Sequence, residues 1–211
     1  MKINTADKFW VGFDPGGVNK FGAAIINENE CVRIRNLSSV DDAVAFVRCF
    51  FKNFEPMGVG IDAPLWWSGG EGGGRQVDRL IRKRYSISSG TVQSSNSLRG
   101  AAVVQAPLLI ERLRAIYPNL FVTEAHPKAY LRGPHKNDLG YLRGLDFGSH
   151  DPDDDDHQRD AILAAIAARE GQLHRWKFDL SLIRQPEEQD PKTYWLAPVH
   201  YFWPECITDE P

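Results

Sequence analysis

The chain has 211 residues, a hydrophobic fraction of 42% and a formal net charge of -3. That is enough for one well-filled core, or a core with a small appendage, and too acidic for a generic nucleic-acid coat protein. No apolar run approaches membrane-spanning length, and the opening MKINTADKFW lacks the basic-then-apolar layout of a signal peptide, so a cytoplasmic protein with no membrane partner is expected.

The first third reads as strand, turn, strand, strand, helix, strand. Phe9 to Phe13 predicts a strand, and Asp14-Pro15-Gly16-Gly17 a turn. Residues 21–26 and 31–34 predict two more strands joined by the loop 27–30. Ser39 caps a helix from Val40 to about Phe51, with Ala43, Phe46, Val47 and Phe50 at three-to-four spacing. Val59 to Asp62 is a further strand. The Gly-rich run 66–74 reads as a surface loop, 77–85 as a basic helix and 86–100 as loop. Ala106-Pro107 is expected to start a helix that Pro118 stops, 120–125 to be a strand, and 133–150 to lack a period. The acids 153–156 lead into an Ala-rich helix to about Glu170, and the aromatic tail (Tyr194, Trp195, Tyr201, Phe202, Trp203) is expected to pack on the core rather than to stack on bases. The three cysteines, Cys31, Cys49 and Cys206, show no metal-ligand spacing and read as reduced thiols.

The chemistry lies in carboxylates at the ends of apolar runs. Asp14 ends the first strand, Asp62 follows Met57-Gly58-Val59-Gly60-Ile61, and Glu124 follows Leu120-Phe121-Val122-Thr123. Groups at the carboxyl ends of strands in an α/β sheet point into the site crevice. Acids gathered there repel one another unless a divalent cation lies between them. His157 and Asp160 are three apart on one helix and share a face. The competing structural roles are a turn for Asp14, an ion pair for Asp62, a satisfied semi-buried ring for His126 and helix capping for Asp153 to Asp156. Arg75, Arg79 and Arg82 form either a solvated helix face with local pairs or a strip that grips phosphate oxygens.

The set Gly12-Phe13-Asp14-Pro15-Gly16-Gly17, Gly60-Ile61-Asp62-Ala63-Pro64-Leu65, Arg75-x-x-Asp78 with Arg82, Thr123-Glu124-Ala125-His126-Pro127-Lys128-Ala129 and His157-x-x-Asp160-Ala161 resembles the predicted-nuclease family called domain of unknown function 429. The resemblance runs from about Val11 to Ala168. It implies an α/β fold, a ribonuclease H-like mixed five-stranded sheet flanked by helices, in a single domain over 1–211 with a C-terminal extension from about residue 171. It also implies Mg²⁺ or Mn²⁺ held by Asp14, Asp62, Glu124 and Asp160, and His157 or Asp156 as the partner of Asp160. Nucleic acid, DNA or RNA, is then the substrate, met by Arg75, Arg79, Arg82 and Lys128. The implied reaction is two-metal hydrolysis of phosphodiester bonds, one ion activating water and the other steadying the leaving oxygen.

Two other functions fit parts of the sequence. Asp14-Pro15-Gly16-Gly17-Val18-Asn19-Lys20 is similar to the first phosphate loop of actin-like kinases, although 211 residues leave room for only one of the two domains such enzymes need. In a catalytically inactive metal- or nucleic-acid-binding module, the acids would hold a structural ion or pair with the arginines.

Overall fold

The computed structural model describes residues 8–68, 74–93, 100–134, 145–147, 151, 154–183 and 196–208. Strands β1 (Trp10–Asp14), β2 (Phe21–Ile26) and β3 (Cys31–Leu37) form an antiparallel meander. Helix α1 (Val40–Phe50) then crosses over to β4 (Gly58–Ile61), which pairs parallel to β1. Helices α2 (Gln76–Tyr85) and α3 (Ala101–Ile116) follow, and β5 (Val122–Glu124) adds parallel to β4. The result is an α/β fold with a five-stranded mixed sheet of order β3-β2-β1-β4-β5, flanked by helices. The chain continues through α4 (Pro127–Arg132), α5 (Asp156–Gln172) and a two-stranded ribbon of β6 (Phe178–Asp179) and β7 (Phe202–Trp203). Among the described residues no helix is long and apolar enough to cross a membrane.

Helix α5 lies across the middle of the sheet because three glycines let it come close. A Cβ at Gly12 would overlap the Ala161 carbonyl oxygen, one at Gly60 the Ala164 carbonyl oxygen, and one at Gly22 that of His157. The helix answers with Ala161, Ala164, Ala165 and Ala168, all buried. The short side chains permit backbone-to-backbone packing at a separation that larger residues forbid. Alternation along the strands then decides which face each residue takes. Gly12 and Asp14 face α5, as do Gly60 and Thr123, which are register partners; Ile61 and its partner Glu124 face the other side. Arg33, opposite Ile25 on that second face, lies over the Phe50 ring at 5.4 Å, which places α1 there.

Most expected elements are present; β5 is shorter than the expected 120–125, the β6–β7 ribbon is additional, and there are three further differences. Helix α3 begins at Ala101, so Pro107 lies inside it rather than at its start. Strand β3 runs on to Leu37, where its polar residues alternate at the sheet edge. Helix α4 was not expected; Pro127 takes its first position, where the missing N–H costs nothing. The tail packs on the core as expected: Tyr201 and Trp203 are buried, and His200 bridges in parallel to Thr123 beyond β5. Tyr194 and Trp195 lie outside the described residues, as does Asp153.

Candidate functional site

Strands β1 and β4 are parallel neighbours, so Asp14 and Asp62 emerge side by side at their carboxyl ends. Both line one cleft of about 220 Å³, together with Ala63, Pro64, Gly90, Thr91, Gln93, Ala102, His126 and Lys128. Asp160 comes in from the first turns of α5 and is fully buried. Lys128, on α4, is half exposed, and its Nζ stands 3.5 Å from Asp160 Oδ2, which accepts no hydrogen bond. The other oxygen, Asp160 Oδ1, is 3.3 Å from Arg159 Nη2.

Residues 155–157 divide the work at the start of α5. Asp155 is the N-cap and accepts hydrogen bonds from the backbone N–H groups of His157 and Gln158 at 2.9 and 3.1 Å. Asp156 is exposed and pairs with Arg159 at 2.8 Å. His157 turns the other way, and its Nδ1 donates to Asp14 Oδ2 at 2.6 Å. The geometry therefore selects His157, not Asp156, as the residue that joins Asp160 at the strand ends.

Concentrated negative charge is the electrostatic signature of the site. Burial pushes the Asp14 carboxyl up to about 6; the hydrogen bond from His157 opposes this, and the Asp160 charge adds to it. Burial raises Asp62 well above the usual carboxylate range, and the Asp14 and Asp160 charges raise it further. Asp160 is raised by burial as well, against the pull of Lys128 and Arg159. Partial burial would lower the Lys128 ammonium, but Asp160, Asp62 and Asp14 together hold it above its ordinary value.

Glu124 is not part of this cluster, which corrects its expected role as a metal ligand. It sits opposite Ile61, one residue short of Asp62, and so leaves the sheet on the other face. There it accepts 2.6 and 2.7 Å hydrogen bonds from both terminal nitrogens of Arg75 and a 2.9 Å bond from the Leu65 N–H. Arg75 is corrected with it. Far from gripping phosphate at a surface, the guanidinium is completely enclosed, paired also with Asp78 at 2.7 and 2.9 Å and seated 4.1 Å over the Trp66 ring. The spacing Arg75-x-x-Asp78 does form its i,i+3 pair, in the interior rather than in solvent. Arg82 donates to the Val92 carbonyl at 2.8 Å and Arg79 to that of Gly74, so both hold the loops on either side of α2.

His126, expected as a satisfied semi-buried ring, forms part of the cleft wall. Its Nε2 donates to the Thr91 carbonyl at 3.2 Å; Nδ1 then accepts from the Tyr201 hydroxyl at 3.4 Å. Burial lowers its pKa to about 4, so the ring is neutral. Gln93 and Thr91 belong to a Ser- and Gly-rich loop with no periodic signal, and nothing local marks them as cleft residues.

Hard oxygen donors, mutual repulsion and an orphaned Asp160 oxygen are what a divalent cation would satisfy. Among the described residues no three His, Cys, Asp or Glu side chains are already drawn together as a metal cage. His157 and Lys128 take up two of the acids instead. Comparison with protein-family models, with curated proteins and with solved structures finds no match to this chain.

Proposed function

We propose that the chain is a divalent-cation-dependent hydrolase of phosphodiester bonds in nucleic acid, with a ribonuclease H-like fold. The observation that carries this reading is the convergence of Asp14, Asp62 and Asp160 from three separate elements, each with a raised proton affinity. Proteins rarely bury like charges side by side for stability alone, and perturbed carboxylates in a cleft are a mark of chemistry. The mixed five-stranded sheet flanked by helices supports the fold assignment.

In this reading Asp14, Asp62 and Asp160 hold Mg²⁺ or Mn²⁺ through carboxylate oxygens. A bound divalent ion polarises a phosphoryl oxygen and brings the pKa of water towards neutrality. The chain's own groups do the rest. His157 fixes one oxygen of Asp14 through its Nδ1. Lys128 offers a cation to the site from the rim. Glu124 acts at a distance: its bond to the Leu65 N–H holds the turn that follows Asp62. His126, Thr91 and Gln93 line the same cleft as Asp14 and Asp62 without adding charge.

The test is cleavage of labelled single-stranded, duplex and branched DNA and RNA with Mg²⁺, Mn²⁺ or EDTA, beside Asp62→Asn and Asp160→Asn. Metal-dependent cutting by the wild type, lost in both variants, is expected. A folded, metal-binding protein that cuts none of these substrates sinks the nuclease reading and favours the non-catalytic module.

A further inference from the structure

We propose that the site takes up one divalent cation per chain rather than two, with the Lys128 ammonium standing as the second positive charge. This rests on the reading that the three aspartates hold a metal ion, and it changes the number of ions that reading calls for.

The first observation is the missing fourth acid. Glu124 is sequestered on the opposite face of the sheet and neutralised there by Arg75, with both of its oxygens engaged. It cannot swing back without abandoning a fully enclosed guanidinium that is shared with Asp78. Asp156, the other spare acid, is exposed and paired with Arg159. Among the described residues, only Asp14, Asp62 and Asp160 remain to the cluster.

The second observation is what stands among them. Lys128 Nζ lies 3.5 Å from Asp160 Oδ2, and the charges of Asp160, Asp62 and Asp14 all act on it. Its position is built: Pro127 starts α4 directly after His126, whose ring is tied to Thr91 and Tyr201, so the lysine stem leaves from a fixed point. Three carboxylates facing one ammonium leave two uncompensated negative charges, which a single divalent ion neutralises. A second such ion beside Lys128 would make the site strongly positive, and repulsion between neighbouring cations at this depth amounts to several kcal/mol. The remaining cationic neighbours do not alter the balance. Arg159 is shared with Asp156, and His157 is committed to Asp14 through Nδ1.

The experiment is isothermal titration of Mn²⁺ into the metal-free full chain at neutral pH for wild type, Lys128→Met and Lys128→Arg, with circular dichroism to check the fold. The wild type is expected to take one ion. Lys128→Met is expected to take a second ion or to bind the first at least about tenfold more tightly, because a repelling charge is gone. Lys128→Arg, which keeps the charge, is expected to take one ion with an affinity within about threefold of wild type. Two ions in the wild type overturn the proposal and leave the hydrolase reading standing. No ion in the wild type overturns both. One ion in the wild type, with Lys128→Met unchanged in count and affinity, overturns the proposal alone. The lysine is half exposed, so the variant is expected to fold; should it not, the wild-type count and Lys128→Arg still decide.

Discussion

Arg75 and Glu124 face each other through two parallel hydrogen bonds of 2.6 and 2.7 Å inside the protein, on the side of the sheet away from the acid cluster. The pair links the start of α2 to the end of β5, two points 49 residues apart in sequence. Through the Leu65 N–H it also governs the segment that carries Asp62. Removing one partner leaves a buried charge uncompensated. Arg75→Met is therefore expected to cost about 3–5 kcal/mol of stability, read from urea unfolding. Glu124→Gln keeps the hydrogen-bonding shape and should cost less. It should also leave Mn²⁺ affinity nearly unchanged in calorimetry. A large loss of metal binding in a folded Glu124→Gln protein would return Glu124 to the ligand set.

The close seating of α5 gives a second prediction. Gly12→Ala and Gly60→Ala drive a methyl group into the Ala161 and Ala164 carbonyls, and backbone cannot move aside as a flexible side chain can. Each is expected to destabilise by about 3 kcal/mol or more, or to prevent folding. Gly17→Ala, with nothing near its added methyl group, should fall within about 0.5 kcal/mol of wild type. Equal effects at all three positions would contradict this close packing of α5 on the sheet.

Asp14 sets a pH dependence whose sign follows from its raised pKa of about 6, against 3.8 for the ordinary group. The folded protein holds this proton more tightly than the unfolded chain. Its contribution is fully present below about pH 4 and is lost as pH rises through about 6. Asp14→Asn should then stabilise the metal-free protein at about pH 7.5, by on the order of 2 kcal/mol, with the gain vanishing near pH 4. Thermal unfolding across this range, in EDTA, measures it. Saturating Mn²⁺ should reverse the order, because only the wild type gains the binding energy.

His126 titrates in the opposite sense. Its pKa of about 4, lowered by burial, means that the unfolded chain binds the proton more tightly than the folded protein does. Its contribution is present above the ordinary value of 6.5 and is lost as pH falls towards 4. Carbon-detected NMR of the ring should show a neutral imidazole from about pH 8 down to about 5. A ring that protonates near its ordinary pKa would mean that the Thr91 and Tyr201 contacts do not enclose it.

Much of this molecule can be read from local sequence. Alternation and length identify the strands, Ser39 marks the first helix, and the run of alanines after Asp160 announces a helix that packs close. Asp14, Asp62, His157 and Asp160 are visible as candidate site residues because each sits where an apolar run ends or on one face of a helix. Those properties depend on a few neighbouring residues. The fate of Glu124 and Arg75 does not. One-residue differences in strand register decide which face a carboxylate takes, and register is set by pairing between β4 and β5, whose partners lie about sixty residues apart. Arg75 has the local spacing of a solvated helix start, yet Asp78, Glu124 and Trp66 together enclose it, and only their meeting in space makes a buried guanidinium tolerable. The placement of Lys128 among the acids is likewise tertiary: α4 brings it there, and the charge balance of the site follows from that contact.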